Sequence, residues 1–249
     1  MSYKERCYNA YDLAQEQFHS FSKEEFELYA RIAKRKFLSF LPIVKSASII
    51  DIACGAGHFL YFLKKAGYTN VYGIDLSDKQ LEIARGMGLM EVEHADLFKY
   101  LLDRPGKYEM IIANDIIEHL TKDEVFKFLD TLYLALEPGG RVFIGTLNSA
   151  SLFGAATVYT DFTHEQGFTP TSLAPILRIC GFENVKIYGD GPVAYDFRSL
   201  LRLFLWKVIK AVLYGYLTIE SGTGRGLWKR TVILEPKMFA VARKPLKPK

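Results

Sequence analysis

Asp51 sits inside the apolar run Ile49-Ile50-Asp51-Ile52-Ala53, and Cys54-Gly55-Ala56-Gly57-His58 follows it directly. A β-branched apolar run reads as a buried strand, and paired glycines let a backbone turn sharply and approach a ligand. From Phe59 the spacing becomes helical, so strand, turn and helix N-terminus open a nucleotide-binding α/β unit. Asp75 ends the next strand, roughly twenty residues on, where a carboxylate can accept both hydroxyls of a ribose. Ser77 supplies the cap for the following helix, which leaves Asp75 available. Leu60 stands where a dinucleotide fingerprint would carry its third glycine. Asp51 would also repel a diphosphate, whereas a cationic amino-acid group would welcome it. After the third strand, Asp96 can accept from an adenine amino group and Leu97 can cover the ring.

A second set of reactive residues lies downstream. Tyr159-Thr160-Asp161-Phe162-Thr163-His164-Glu165 contains one imidazole between two carboxylates. Histidine titrates where a general base is useful, so His164 could take a proton from an acceptor hydroxyl, with Asp161 or Glu165 orienting it. The bland alternative is that His164 braces its loop. Asp115, Glu118 and His119 stand at i, i+3 and i+4, one face of a helical turn. With His164 they offer two carboxylates and two imidazoles, a donor set that suits a divalent metal. The metal is the lesser of the two readings.

The elements that must position these groups alternate. Residues 10–45 carry two helical patterns, the second capped by Ser22 with Glu25 three residues on. Phe26, Tyr29, Ile32, Ala33, Phe37 and Phe40 make its apolar stripe, and Pro42 ends it. That face packs on a sheet, or else Tyr11, Phe18 or Tyr29 closes over a ligand. Strands are expected at 46–53, 70–75, 89–94, 108–114, 141–147, 185–189 and 231–242. Helices are expected at 57–67, 77–87, 121–136 and 172–180. Strands separated by helices imply a mainly parallel sheet covered on both faces. Insertions at 148–169 and 190–230 interrupt the alternation, and the first leaves from a strand's carboxyl end, where ligands bind in open α/β sheets. A single domain over 1–249 is expected, with 1–45 as a helical cap and both insertions on the acceptor side.

The ordered motifs resemble the class I S-adenosylmethionine-dependent methyltransferases. The matching pieces are Asp51-Ile-Ala-Cys-Gly55-Ala-Gly57, Gly73-Ile-Asp75-Leu76-Ser77, Ala95-Asp96-Leu97, Asn114-Asp115-Ile116-Ile-Glu118-His119-Leu120 and Leu136-Glu-Pro-Gly-Gly-Arg-Val-Phe-Ile144. The resemblance implies a Rossmann-like α/β fold, a seven-stranded sheet with the last strand antiparallel and helices on both faces. It places Asp51, Ala53, Gly55, Gly57 and His58 at the methionine part of S-adenosylmethionine, Asp75 with Leu76 at the ribose, and Asp96 with Leu97 at the adenine. Asn114 and Ile116 would lie near the sulfonium, with Tyr159 and His119 on the acceptor side. The Asp-Phe-Thr-His-Glu run is similar to that of methyltransferases encoded with bacterial surface-polysaccharide and sugar-modification enzymes. The Glu118-His119 pair is similar to a metal-binding pattern of ubiquinone-pathway O-methyltransferases and small-RNA 2′-O-methyltransferases.

The function implied is O-methylation of a small polar acceptor, such as a sugar, sugar nucleotide or phosphate-bearing glycan precursor in polysaccharide biosynthesis. N-methylation, quinone-type O-methylation and a catalytically silent cofactor-binding partner protein are the alternatives. A nicotinamide oxidoreductase is opposed by Leu60 and Asp51.

Composition is that of an ordinary globular chain, 249 residues with 49% hydrophobic and 24% charged. A net charge of +4 is too small to argue nucleic-acid binding. Cys7, Cys54 and Cys180 lack metal-ligand spacing and read as reduced thiols, and no leader or membrane-spanning run is evident, so a cytoplasmic location is expected. Arg198–Tyr214 is an amphipathic pattern with Leu200, Leu201, Phe204, Leu205, Val208, Ala211 and Val212 on one side. Arg202, Lys207 and Lys210 lie opposite, with Trp206 between. Such a stripe packs on the sheet, joins a homodimer or contacts an anionic membrane surface. Ser221–Gly226, though rich in glycine, lacks a preceding strand and reads as a loop rather than a phosphate cradle.

Overall fold

The computed structural model describes Cys7, residues 21–220 and residues 232–246. Tyr11, Phe18 and the Ser221–Gly226 loop lie outside the described residues. Seven strands form one sheet: β1 (Ile49–Ile52), β2 (Val71–Asp75), β3 (Val92–His94), β4 (Tyr108–Asn114), β5 (Leu136–Leu147), β6 (Glu183–Gly189) and β7 (Lys237–Arg243). Their order is β3-β2-β1-β4-β5-β7-β6, and β7 runs antiparallel to both neighbours. The other strands share one direction, so their carboxyl ends open on one edge.

Side-chain alternation splits the core into two layers. Ile50 and Ile52 of β1 point to one face with Ile111, Ala113, Val142 and Ile144. That face is covered by α4 (Leu97–Leu102), α5 (Lys122–Ala135) and α7 (Pro170–Ile179). Ile49, Met110, Ile112, Phe143 and Phe239 point to the other, under α1 (Lys23–Phe37), α2 (His58–Lys65) and α3 (Asp78–Gly86). Asp51 shares the parity of Ile49 and so enters the α1–α2 side of the core.

Caps mark the helix starts. Ser22, Ser77 and Asp96 each accept from a backbone amide three residues on, and Thr121 forms a reciprocal capping box with Glu124. Helix α4 is absent from the sequence-based expectation, because six residues are too few for a helical period to register. β5 begins before the expected Arg141: the Pro138-Gly139-Gly140 turn is absorbed into it, with a register shift between Tyr108 and Met110 on β4.

The insertion after β5 holds the short α6 (Gly154–Val158), and the insertion after β6 is dominated by α8 (Phe197–Glu220). The expected stripe of α8 does not pack on the sheet. Leu200, Leu201, Phe204, Leu205, Val208 and Val212 are 47–67% exposed, and the side turned inward carries Ser199, Leu203, Trp206 and Lys210. Among the described residues no helix is long and apolar enough to cross a membrane.

Candidate active site

The strand ends build the first half of the site. β1 stops where Ala53 (φ 52°), Gly55 (φ 53°) and Gly57 (φ 85°) enter the left-handed region, which turns the chain into α2. At Gly57 a Cβ would also meet Leu89 Cδ1 at 2.5 Å, so both conformation and space demand glycine. Gly73 on β2 lets α2 approach closely, since a Cβ there would lie 2.4 Å from Leu60 Cδ1.

This packing brings the Asp75 carboxylate to the turn. Its Oδ2 accepts from the Gly55 amide at 2.8 Å and its Oδ1 from the Ser77 amide at 2.9 Å. Two fixed amides hold the group, and each oxygen keeps a lone pair for a ligand hydroxyl. Asp51 is 2% exposed, and burial, reinforced by the charge of Asp75, pushes its pKa well above the ordinary carboxylate range. A cation placed beside it would favour the ionised form. Tyr29 lies among acids as well: burial, then Asp51, Asp115 and Asp190, push its phenol up.

His58 opens α2, its ring stacked on Phe26 at 4.0 Å and edge-on to Tyr29 at 5.5 Å. Its Nε2 lies 3.7 Å from Glu25. At β3 the exposed Asp96 caps α4, its Oδ1 accepting from the Lys99 amide at 2.9 Å, and Leu97 is half-buried beside it. Leu76 is exposed. Asn114 ends β4 tight against Gly145, where a Cβ would come within 2.3 Å of its Oδ1, and Ile116 is half-buried two residues on.

The second half is a loop clamped onto the exit of β4. The Glu118 carbonyl accepts from the Glu165 amide at 2.8 Å and the Gln166 amide at 3.3 Å. That clamp brings His164 beside His119, ring centroids 4.6 Å apart. His119, His164 and Glu118 each offer a ligating atom within 4.8 Å of the others. Of the four residues expected to hold a metal, Asp115 is the one outside this group. Its backbone is left-handed (φ 50°), and its carboxylate pairs with Lys237 at 2.7 Å. Glu118 is 1% exposed and accepts from Thr146 Oγ1 at 2.9 Å; burial, then Asp115, push its pKa up to about 7.

Hydrogen-bond bookkeeping fixes both imidazoles. His164 Nδ1 lies 2.6 Å from the Val158 carbonyl, which only accepts, so Nδ1 carries a proton and the lone pair of the neutral ring is on Nε2. The orienting partner at Nδ1 is thus a backbone carbonyl rather than the Asp161 or Glu165 carboxylate that the sequence suggests. Asp161 serves Thr163 instead, accepting from its amide at 2.8 Å and its hydroxyl at 2.7 Å. With that hydroxyl proton spent, Thr163 Oγ1 accepts from His119 Nδ1 at 2.8 Å, and His119 too keeps its Nε2 lone pair. Burial, then His164, hold His119 below the usual histidine range. Tyr159 is 81% exposed and follows Val158, whose carbonyl seats His164. Thr163, Thr146, Lys237 and the Val158 carbonyl have no signal in the sequence: each acts through a partner distant along the chain or through its backbone.

Farther along the same edge, a cleft of about 560 Å³ opens between α8 and the ends of β6 and β7. Phe40, Tyr188, Phe239 and Trp206 line it, with Arg35 and Lys207 also contributing, and none of the residues read as cofactor-binding does. Asp190 at this cleft donates its amide to the carbonyl of Lys237, whose ammonium reaches Asp115.

A family model described as a methyltransferase domain matches residues 21–187. The ubiquinone biosynthesis O-methyltransferase of Bordetella avium is 28% identical over 152 residues, 54% of this chain and 61% of that protein. The protein of the same name from Hydrogenovibrio crunogenus is 26% identical over 188 residues, 68% and 73% of the two chains. Among the first of these relatives, the chain spans 61–66% of their length. A solved SAM-dependent methyltransferase from Archaeoglobus fulgidus superposes with a TM-score of 0.65 at 22% identity, covering 94% of this chain and 99% of that one. Phosphoethanolamine N-methyltransferase 2 of Haemonchus contortus, solved with S-adenosyl-L-methionine, superposes at 0.58 with 20% identity, covering 88% and 52%. The Rossmann-like sheet, the glycine turn and the matched model agree: the chain belongs to the methyltransferase-domain family.

Proposed function

We propose that this enzyme transfers the methyl group of S-adenosylmethionine to a hydroxyl oxygen of a small acceptor held between the exit of β4 and the 148–169 loop. When bound, the cofactor supplies a methyl group on a sulfonium, already a good electrophile, so the protein's task is alignment and proton removal. The fit rests on buried Asp51 facing the cationic part, Asp75 facing the ribose, Asp96 with Leu97 facing the adenine, and Asn114 with Ile116 facing the reacting centre. The observation that carries the oxygen acceptor is the imidazole of His164. Its Nδ1 is spent on Val158, which leaves Nε2 to receive a proton beside Glu118 and His119.

Quinone-type O-methylation is the reading we favour, supported by the name of the curated relatives, ubiquinone biosynthesis O-methyltransferase. The Asp161–Glu165 run supports a sugar or phosphate-bearing glycan hydroxyl as the second reading, with a role in polysaccharide biosynthesis. As the alternative to proton transfer at His164 Nε2, a divalent cation would find its donors in Glu118, His119 and that same Nε2, where it would lower the pKa of an acceptor hydroxyl.

Turnover with isotopically methyl-labelled cofactor over catechols, quinols and sugar nucleotides, read by mass spectrometry, separates the acceptor classes. His164→Ala is expected to lower kcat by about 100-fold or more with cofactor affinity unchanged in calorimetry. Asp75→Ala should weaken cofactor binding. The reverse pattern would overturn both assignments, and full activity in a chelator would remove the cation.

A further inference from the structure

Helix α8 is held to the body by one line of residues: Trp206 Nε1 and Lys210 Nζ donate to Glu235, and Tyr214 donates to the Val232 carbonyl. Ser199, on the same line, closes the turn that starts the helix, its Oγ accepting from the amides of Tyr195 and Asp196. At the helical period the opposite line reads Phe197, Leu201, Phe204, Val208, Val212 and Ile219. These side chains are 47–84% exposed, on a helix of 24 residues and therefore about 36 Å long. Nothing among the described residues covers them.

Charge identifies what can. From Phe197 to Ile219 the helix contains no acidic residue. Arg198 and Arg202 border the apolar line on one side and Lys207 on the other, all three exposed. An apolar stripe bordered by three cations, against one anion at the helix's last residue, Glu220, matches the surface of an anionic bilayer, with the stripe among acyl chains and the cations at the headgroups. A crossing helix is excluded for this segment, because Arg202, Lys207 and Lys210 interrupt its apolar residues and no helix among the described residues is long and apolar enough to cross. The other insertion leaves from the same sheet edge and shows the same property, with Leu152, Phe153 and Phe162 at 63–82% exposed.

We infer that α8 lies in the surface of an anionic lipid bilayer, seating the carboxyl edge of the sheet and the cleft behind Trp206 against the membrane. The inference stands apart from the acceptor's identity, because it is read from lipid binding and not from turnover. Purified full-length chain is spun with phosphatidylcholine vesicles, with and without phosphatidylglycerol. The chain should partition onto the phosphatidylglycerol vesicles and lose affinity as salt screens the cations. Arg198→Gln with Arg202→Gln should weaken partitioning by about 30-fold, near fivefold per charge. Phe204→Ser with Val208→Ser should cost at least as much, and far-ultraviolet circular dichroism with cofactor calorimetry confirms that both variants remain folded. Failure to sediment with anionic vesicles overturns the inference. So does equal binding to both vesicle types, and so does a stable dimer that Phe204→Ser with Val208→Ser dissociates while vesicles are ignored.

Discussion

The two halves of the site are held in opposite ways. On the β1–β4 side the groups ride on strand ends, and backbone register sets their positions: Asp51 by strand parity, and Asp75 by the amides of Gly55 and Ser77. On the other side a loop between β5 and α7 is tied down by a few hydrogen bonds, to the Glu118 carbonyl at the exit of β4 and to its own Val158 carbonyl. A strand end has little freedom, since a one-residue slip would turn Asp51 to the wrong face. A loop held by a few hydrogen bonds can be re-cut without disturbing the sheet. The arrangement suits an enzyme that keeps one donor and varies its acceptor.

If the first half is rigid, crowding it should damage the whole molecule. Gly57→Val combines a branched side chain at φ 85° with a Cβ 2.5 Å from Leu89. Strain and overpacking each cost about 1–3 kcal/mol, so a loss of about 4 kcal/mol is expected in urea unfolding. A loss under about 1 kcal/mol would show that the turn is as pliant as the loop.

Glu118 lies on the seam between the halves and should show a pH-dependent effect. Its folded pKa is raised from 4.5 to about 7, so the native state holds the proton more tightly than the unfolded chain does. Stability from this group is therefore fully present below pH 4.5 and is lost as pH rises through 7. Glu118→Gln removes that loss. The variant should exceed the parent by up to about 3 kcal/mol above pH 7, with the gap narrowing toward pH 4.5. Denaturant midpoints measured across this range that keep a constant gap would mean Glu118 is ionised throughout.

The same contrast decides what the sequence could reveal. Strand runs, the glycine turn and the helix caps are local signals, and they place β1, β2, β4, the helices after them and the carboxylates at their ends. The antiparallel β7 came with the family resemblance, while its start lies at Lys237 and not at 231. The acceptor half is built from pairings that no local pattern encodes. His164 and Glu165 are legible as chemistry, but the carbonyls that seat them belong to Val158 and Glu118. Lys237 reaches Asp115 from 122 residues away. The stripe of α8 is legible as amphipathic, but periodicity does not say which face turns inward. Glu235 decides it, by drawing Trp206 and Lys210 onto the body.

The finest test falls on Thr163, which joins the loop to His119. It is 3% exposed, and its hydroxyl donates to Asp161 while accepting from His119 Nδ1. Thr163→Val keeps the shape and removes both bonds, so the hydroxyl no longer holds the proton of His119 on Nδ1. A neutral hydrogen bond contributes about 1 kcal/mol, so kcat should fall roughly fivefold while cofactor affinity holds. The apparent pKa of the rate profile should move with it, because the lost partner biased the imidazole's proton. Thr163→Ser restores the hydroxyl without the methyl group and should recover most of kcat. A serine variant as slow as valine would mean that the methyl group's packing, and not the relay from Asp161 to His119, is what the loop contributes.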